Sequence, residues 1–177
     1  MKNNNISVLV VDDDAIIRSI ICEYLTYQNF RCFSACDSSE GLELFKKHKP
    51  DVVISDLVLP GSNGLEFLES IKEINPETPV IIITGLGVYE DAINALKRGA
   101  WDYIAKPVDM RILLYSVNRV IERSFLIIEN RKYQEQLEQE VEIRTRQLYE
   151  RTKELEYSNN LLREEIKRRV GSKELIN

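Results

Sequence analysis

Apolar and polar residues follow one another along this chain in blocks of two different periods. Ile6–Val11 is a short, β-branched, almost wholly apolar run that stops abruptly at Asp12-Asp13-Asp14. A run without a polar face reads as a strand buried on both sides. Ala15–Tyr27 then carries Ile16, Ile17, Ile20, Ile21, Tyr24 and Leu25 at helical spacing, with Asp14 placed to cap its first turn. Phe30–Ala35 reads as a second strand, less apolar, as an edge strand would be. Ser38 or Ser39 opens a helix through Gly41–Lys47, and Asp51–Ser55 is a third buried strand ended by Asp56. Leu59–Gly64 has the composition of a loop. Leu65–Ile74 is predicted helical and is closed by Asn75-Pro76. Pro79–Thr84 makes a fourth buried strand, and Val88–Arg98 a helix with Gly99 just past its end. Trp101–Ile104 is a fifth strand, followed by Lys106-Pro107, and Asp109 starts the last helix.

Strands alternating with helices over short loops predict an α/β fold, a parallel sheet covered on both faces. In such sheets ligands sit at the carboxyl ends of the strands. The chemically able side chains fall at those ends: Asp12 and Asp13 after the first strand, Asp56 after the third, Thr84 at the end of the fourth, Lys106 after the fifth.

From Met110 no proline or glycine interrupts the chain until Gly171. At about 1.5 Å per residue, a continuous helix there would run roughly 90 Å. Leu113, Leu114, Val117, Val120 and Ile121 make its start apolar enough to dock on the sheet. Farther on, Val141, Leu148, Leu155 and Leu162 recur seven apart, and Ile166 comes four later. That is a heptad seam with one strong position; the alternating position holds Arg144, Arg151 and Ser158, or Thr145, Thr152 and Asn159. Such a segment needs a partner helix or it frays. Two readings stay open, a parallel dimeric coiled coil and a solvated tail. The expected organisation is a globular domain over residues 1–125, a helix over 126–170 and a flexible tail over 171–177.

Charge narrows the function classes. Residues 1–110 hold 10 Lys/Arg and 17 Asp/Glu, while 111–177 hold 14 and 12, so a net −7 precedes a net +2. Neither half has the one-signed basic stripe that nucleic-acid binding needs. Cys22, Cys32 and Cys36 are irregularly spaced and the one histidine is His48, a poor set for zinc. They read as reduced thiols in a cytoplasmic protein. The N-terminal apolar run is too short for a signal peptide or a membrane span.

Three nearby carboxylates repel one another unless something positive sits among them. A divalent cation meets that need, and oxygen-only ligands select Mg2+ or Mn2+ over zinc. A carboxylate can also accept a phosphoryl group, a transfer governed by positioning and by neutralising the phosphoryl oxygens. The segments VLVVDDD, VVISDLVLPGSNGLEFL, PVIIITG and GAWDYIAKPVD, in that order and spacing, closely resemble the receiver domain of two-component response regulators over about residues 6–125.

The resemblance implies a flavodoxin-like, doubly wound five-stranded parallel sheet of order 2-1-3-4-5. It implies Asp56 as the phosphorylated residue, with the acidic pair Asp12 and Asp13 and the backbone carbonyl of Val58 as its companions at the metal. It makes Lys106 the phosphate-binding lysine, Thr84 the switch hydroxyl and Tyr103 the switch aromatic, with a cis bond at Lys106-Pro107. Val58 and Leu86 occupy the two positions that tune phosphoryl lifetime in the family. Both are apolar and cannot position an attacking water, so the lifetime should be long. A histidine kinase or phosphotransfer protein is the implied donor. The segment from Leu137 to Arg169 resembles a signalling coiled coil, with Ile143-Arg144-Thr145 standing where that element has Glu-Arg-Thr, and it points to a homodimer. Two alternatives remain. The chain is the N-terminal module of a larger histidine kinase or diguanylate cyclase, or it is a scaffold that ignores phosphorylation.

Overall fold

The computed structural model describes residues 6–60, 62–85 and 89–174, and side chains for all of these except 62, 89–91 and 170–174. Five strands form one parallel sheet: β1 (Ser7–Val11), β2 (Arg31–Ala35), β3 (Val52–Asp56), β4 (Val80–Thr84) and β5 (Asp102–Ala105). Their order is β2-β1-β3-β4-β5, as the resemblance implied. The helices are α1 (Ala15–Tyr27), α2 (Ser38–His48), α3 (Gly64–Ile74), α4 (Tyr89–Lys97) and α5 (Met110–Glu174). The chain divides into two units, Met1–Ile127 and Ile128–Asn177.

The unbroken apolar strands make sense because each feeds two cores. Side chains alternate across a strand, so Val8 and Val10 join Ile54, Ile81 and Ile83 on one face, and Leu9 and Val11 join Val53, Val80 and Ile82 on the other. The first face is covered by Ile21 and Leu25 of α1 and by Leu113, Val117 and Val120 of α5. The second is covered by Phe45 of α2, by Phe67, Leu68 and Ile71 of α3, and by Ala95 of α4. Strand β2 pairs on one side only, which is why its sequence is less apolar.

Local chemistry sets the helix ends. The Asp14 carboxylate accepts from the Ile16 N–H at 2.8 Å and the Ile17 N–H at 3.3 Å, the expected cap. The cap of α2 is Asp37, one residue before the serines expected to open it. Its carboxylate accepts from the Glu40 N–H at 2.9 Å, while the Glu40 carboxylate accepts from the Cys36 N–H at 2.8 Å. The Glu40 carboxylate thus reaches one residue past the cap, beyond the N–H that a capping box would satisfy. Gly99 has φ +98 after α4, which only glycine adopts without strain. The segment after β3 is not wholly irregular, because Val58–Leu59 pairs antiparallel with Ser62–Asn63 as a two-residue ribbon.

In the second unit, residues 128–174 are helical. Ion pairs one turn apart line it: Arg144 with Glu140 at 2.6 Å, Arg146 with Glu150 at 3.4 Å, Arg169 with Glu165 at 2.8 Å. The end expected at Gly171 is corrected, since α5 continues through it to Glu174. A single glycine costs a helix only about 1 kcal/mol relative to alanine, too little to stop one by itself. Residues 175–177 lie outside the described residues. Among the described residues, no helix is long and apolar enough to cross a membrane.

Leu113 is fully buried in the core under α1 and α5. Leu113→Ala should destabilise the first unit by about 2–5 kcal/mol. Leu148→Ala, in the second unit, should leave that unfolding unchanged. Trp101, the sole tryptophan, packs against the same core and reports it by fluorescence in a urea titration.

Candidate functional site

Parallel register brings the acids together. Val11 pairs with Ser55, so the next residue of each strand, Asp12 and Asp56, leave neighbouring strands side by side. Thr84 pairs with Ala105, which puts Lys106 at the same sheet edge. The backbone fixes this edge further: the Leu57 N–H donates to the Ile83 carbonyl at 2.8 Å and the Lys106 N–H to the Thr84 carbonyl at 2.7 Å. The peptide bond Lys106-Pro107 is cis.

One carboxylate oxygen each from Asp12, Asp13 and Asp56 lies within 4.8 Å of the others. Asp12 and Asp56 are buried and Asp13 is exposed. The Lys106 ammonium donates to Asp56 Oδ2 at 2.7 Å and to Asp12 Oδ2 at 3.1 Å. The other Asp12 oxygen accepts from the Asp14 N–H at 2.8 Å, and the other Asp56 oxygen accepts from the Val58 N–H at 3.4 Å. Asp56 is therefore held at both oxygens by groups that would also hold an oxyanion.

Burial pushes the Asp12 carboxyl above the usual carboxylate range, against the help of the Asp14 N–H and Lys106. Burial works against the Lys106 ammonium, but its bonds to Asp56 and Asp12 outweigh that and hold it above the ordinary lysine value. Three carboxylates against one ammonium leave a formal charge of −2, which matches one divalent cation. The donor set is all oxygen and partly open to water through Asp13. It suits a hard cation that keeps several of its waters.

The remaining sites predicted from sequence stand around this cluster. Thr84 is buried at the end of β4, and its hydroxyl donates a long 3.5 Å bond to the Gly85 carbonyl. Tyr103 lies on β5 and is 40% exposed. The Val58 side chain is 72% exposed beside the acceptor. Leu86 lies outside the described residues.

Two residues of the site went unread in the sequence. Arg18, in the second turn of α1, donates from Nη1 to the Asp12 carbonyl at 2.5 Å and ties the helix to the acidic segment. A basic residue six positions after the acids was the available signal. Gly64 comes so close to the acceptor that a Cβ there would run into the Asp56 carbonyl and stand 2.8 Å from Leu57 Cα. Both obstacles are backbone, so no side chain can be accommodated. That need is invisible in a loop where a glycine reads as a turn.

Residues 8–118 match the family model described as response regulator receiver domain. The chain is 42% identical over 127 residues to an NtrX-like response regulator of Rickettsia bellii, covering 71% of this chain and 27% of that protein. It thus spans about a quarter of the length of that relative. A crystal structure of a response regulator receiver domain protein from Clostridium thermocellum superposes with a TM-score of 0.67 at 37% identity, covering 69% of this chain and 98% of that one. NtrX from Brucella abortus, crystallised with ADP, gives 0.68 at 35% identity over 70% of this chain and 28% of that one. With matching strand order, acidic cluster and sequence, the chain belongs to the response regulator receiver domain family of two-component signalling.

Proposed function

We propose that this protein accepts a phosphoryl group on Asp56 from a phosphohistidine of a partner kinase or phosphotransfer protein, in a Mg2+-dependent reaction in the cytoplasm. The observation that carries the reading is the gathering of the Asp12, Asp13 and Asp56 oxygens within 4.8 Å, with the Lys106 ammonium bonded to two of the three. Asp12, Asp13, Asp56 and the Val58 carbonyl would hold the metal, which when bound neutralises charge on the phosphoryl oxygens. The Asp56 carboxylate attacks phosphorus and the bond from phosphorus to the histidine nitrogen breaks. Lys106 gives up a carboxylate and takes a phosphoryl oxygen. The Thr84 hydroxyl gives up its long bond to Gly85 and takes another. Tyr103, half exposed one strand away, then changes its packing and alters the face of α4, β5 and α5.

An apolar groove beside Lys106, lined by Ile17, Ile20, Pro107, Val108 and Met110, supports a docking place for the donor. No outside substrate is turned over; the site modifies itself, and water reverses the change. Val58 cannot orient that water. The signal leaves through α5. In residues 128–174, Val141, Leu148, Leu155, Leu162 and Ile166 are each more than half exposed in the single chain. Pairing of two copies along this seam would cover them.

Acetyl phosphate with Mg2+ should add one phosphoryl group to the chain and none to Asp56→Asn, read by intact mass. The label should persist for minutes or longer; decay within seconds would contradict the role given to Val58 and Leu86.

The second test concerns the charge cluster. A carboxyl whose pKa folding raises binds its proton more tightly folded than unfolded. Stability therefore falls as pH rises from the ordinary carboxylate range to the raised value, and stays lowered above it. The raised Asp12 value already includes the help of Lys106. Asp12→Asn should consequently raise the thermal midpoint at neutral pH without metal, at about 4 °C per kcal/mol gained. Millimolar Mg2+ should raise the midpoint of the natural chain and leave that of Asp12→Asn nearly unmoved.

Third, light scattering should give twice the chain mass. Leu148→Glu with Leu155→Glu should return a monomer that still binds beryllofluoride.

A further inference from the structure

Asp12 and Asp13 are joined by one peptide bond but are held very differently. Asp12 is fully buried and fixed on several sides: its N–H donates to the Ala35 carbonyl at 3.3 Å, and its carboxylate accepts from the Asp14 N–H at 2.8 Å and from the Lys106 ammonium at 3.1 Å. Asp13 is exposed. Where its carboxylate stands is therefore set through the backbone, by the rotation of the peptide plane between the two residues. The carbonyl of that plane accepts from Arg18 Nη1 at 2.5 Å. Arg18 is half-buried on α1, and its own N–H donates to the Asp14 carbonyl at 3.0 Å. The Asp14 carboxylate in turn caps the helix. Residues 12–18 thus close a ring, in which the guanidinium returns to the peptide where the ring begins. A cation is bonded here to a neutral carbonyl, on the segment that supplies two of the three clustered acids.

We infer that Arg18 is a positioning residue for the cation site: by fixing the Asp12–Asp13 peptide plane it aims Asp13 at the place shared with Asp12 and Asp56, and so raises the affinity for a divalent cation. This rests on the metal-binding reading of the three acids proposed above. Charge and position push in opposite directions, which separates them. A guanidinium beside a cation site repels the cation, so its charge alone weakens binding. A group that orients metal ligands strengthens binding, and losing such a group costs about 10–100-fold in affinity. A ligand held in place before the metal arrives is one whose freedom the metal need not remove. Asp13, open to water, has the most freedom to lose.

The test is calorimetric titration of Mg2+ into the metal-free full chain, with thermal midpoints in EDTA as the check on folding. The natural chain should bind. Arg18→Met, which keeps an apolar stem and loses charge and donors, should bind about tenfold more weakly or worse. Asp13→Asn should also bind more weakly, and adding Arg18→Met to it should change little, because the carboxylate that Arg18 aims is already gone. A purely structural role would make the two losses add. Arg18→Lys keeps the charge, but its ammonium ends one bond short of Nη1, so it too should bind more weakly than the natural chain. It decides the matter if Arg18→Met does not fold. Mg2+ bound by Arg18→Met, or in that case by Arg18→Lys, as tightly as by the natural chain or tighter would overturn the assignment, as would additive losses. A natural chain that takes up no Mg2+ would instead overturn the reading of the three acids, and this inference with it.

Discussion

Three carboxylates stand at the ends of two neighbouring strands, and bringing them together there opposes folding. Asp12 bears most of this, because it is fully buried and its ionised form is disfavoured. Lys106 relieves part of it by bonding Asp12 and Asp56 at once, yet a formal charge of −2 remains. Much of the first unit is arranged to hold those charges in place. Parallel register places the acids, two apolar cores clamp the strands that carry them, and Arg18 secures the acidic segment from α1. Gly64 lets the backbone close over the acceptor, where any side chain would collide. Stability is thus supplied away from the site and spent on keeping like charges together at it, the usual relation between a functional site and its scaffold.

The sheet was legible because its strands are buried on both faces. β1, β3 and β4 have no polar side to confuse with a helix, and each is ended by the polar residue that matters. The convergence of Asp12, Asp56 and Lys106 came from topology alone, since parallel strands deliver all their carboxyl ends to one edge. Other features were not legible, for local reasons. The cap of α2 fell on Asp37, whose carboxylate takes the Glu40 N–H, although two adjacent serines looked as able to open the helix. The ribbon at Val58–Leu59 and Ser62–Asn63 is two residues long, below any periodicity. Gly171 looked like a stop, but neither proline nor a turn sequence accompanies it, and α5 runs on. Arg18 acts through a backbone carbonyl, a target the sequence does not mark.

α5 meets two different demands along one helix. Near its start, Leu113, Val117 and Val120 are buried, and their environment is supplied by the same unit. In residues 128–169 the apolar positions are exposed, and the helix is supported within the chain by a set of ion pairs one turn apart. Such pairs contribute a few tenths of a kcal/mol each. They favour the helix without burying its leucines, so the segment keeps an apolar seam available. Arg144, Arg151 and Ser158, or Thr145, Thr152 and Asn159, alternate with that seam, so its second position is polar in either register.

The alternation of Val8, Leu9, Val10 and Val11 between two cores also bears on how such a chain can change over time. A single residue gained or lost inside β1 would exchange every later side chain of the strand between the two faces, and both cores would be mispacked at once. Sheets with one watery face can absorb some of that error; this one has no such face to absorb it. Length variation is therefore confined to the connections, and the connections at one edge carry the chemistry. A family built on this sheet can diversify in the loops that flank the acids and in the segments beyond the last helix, while the strands between them stay at fixed length.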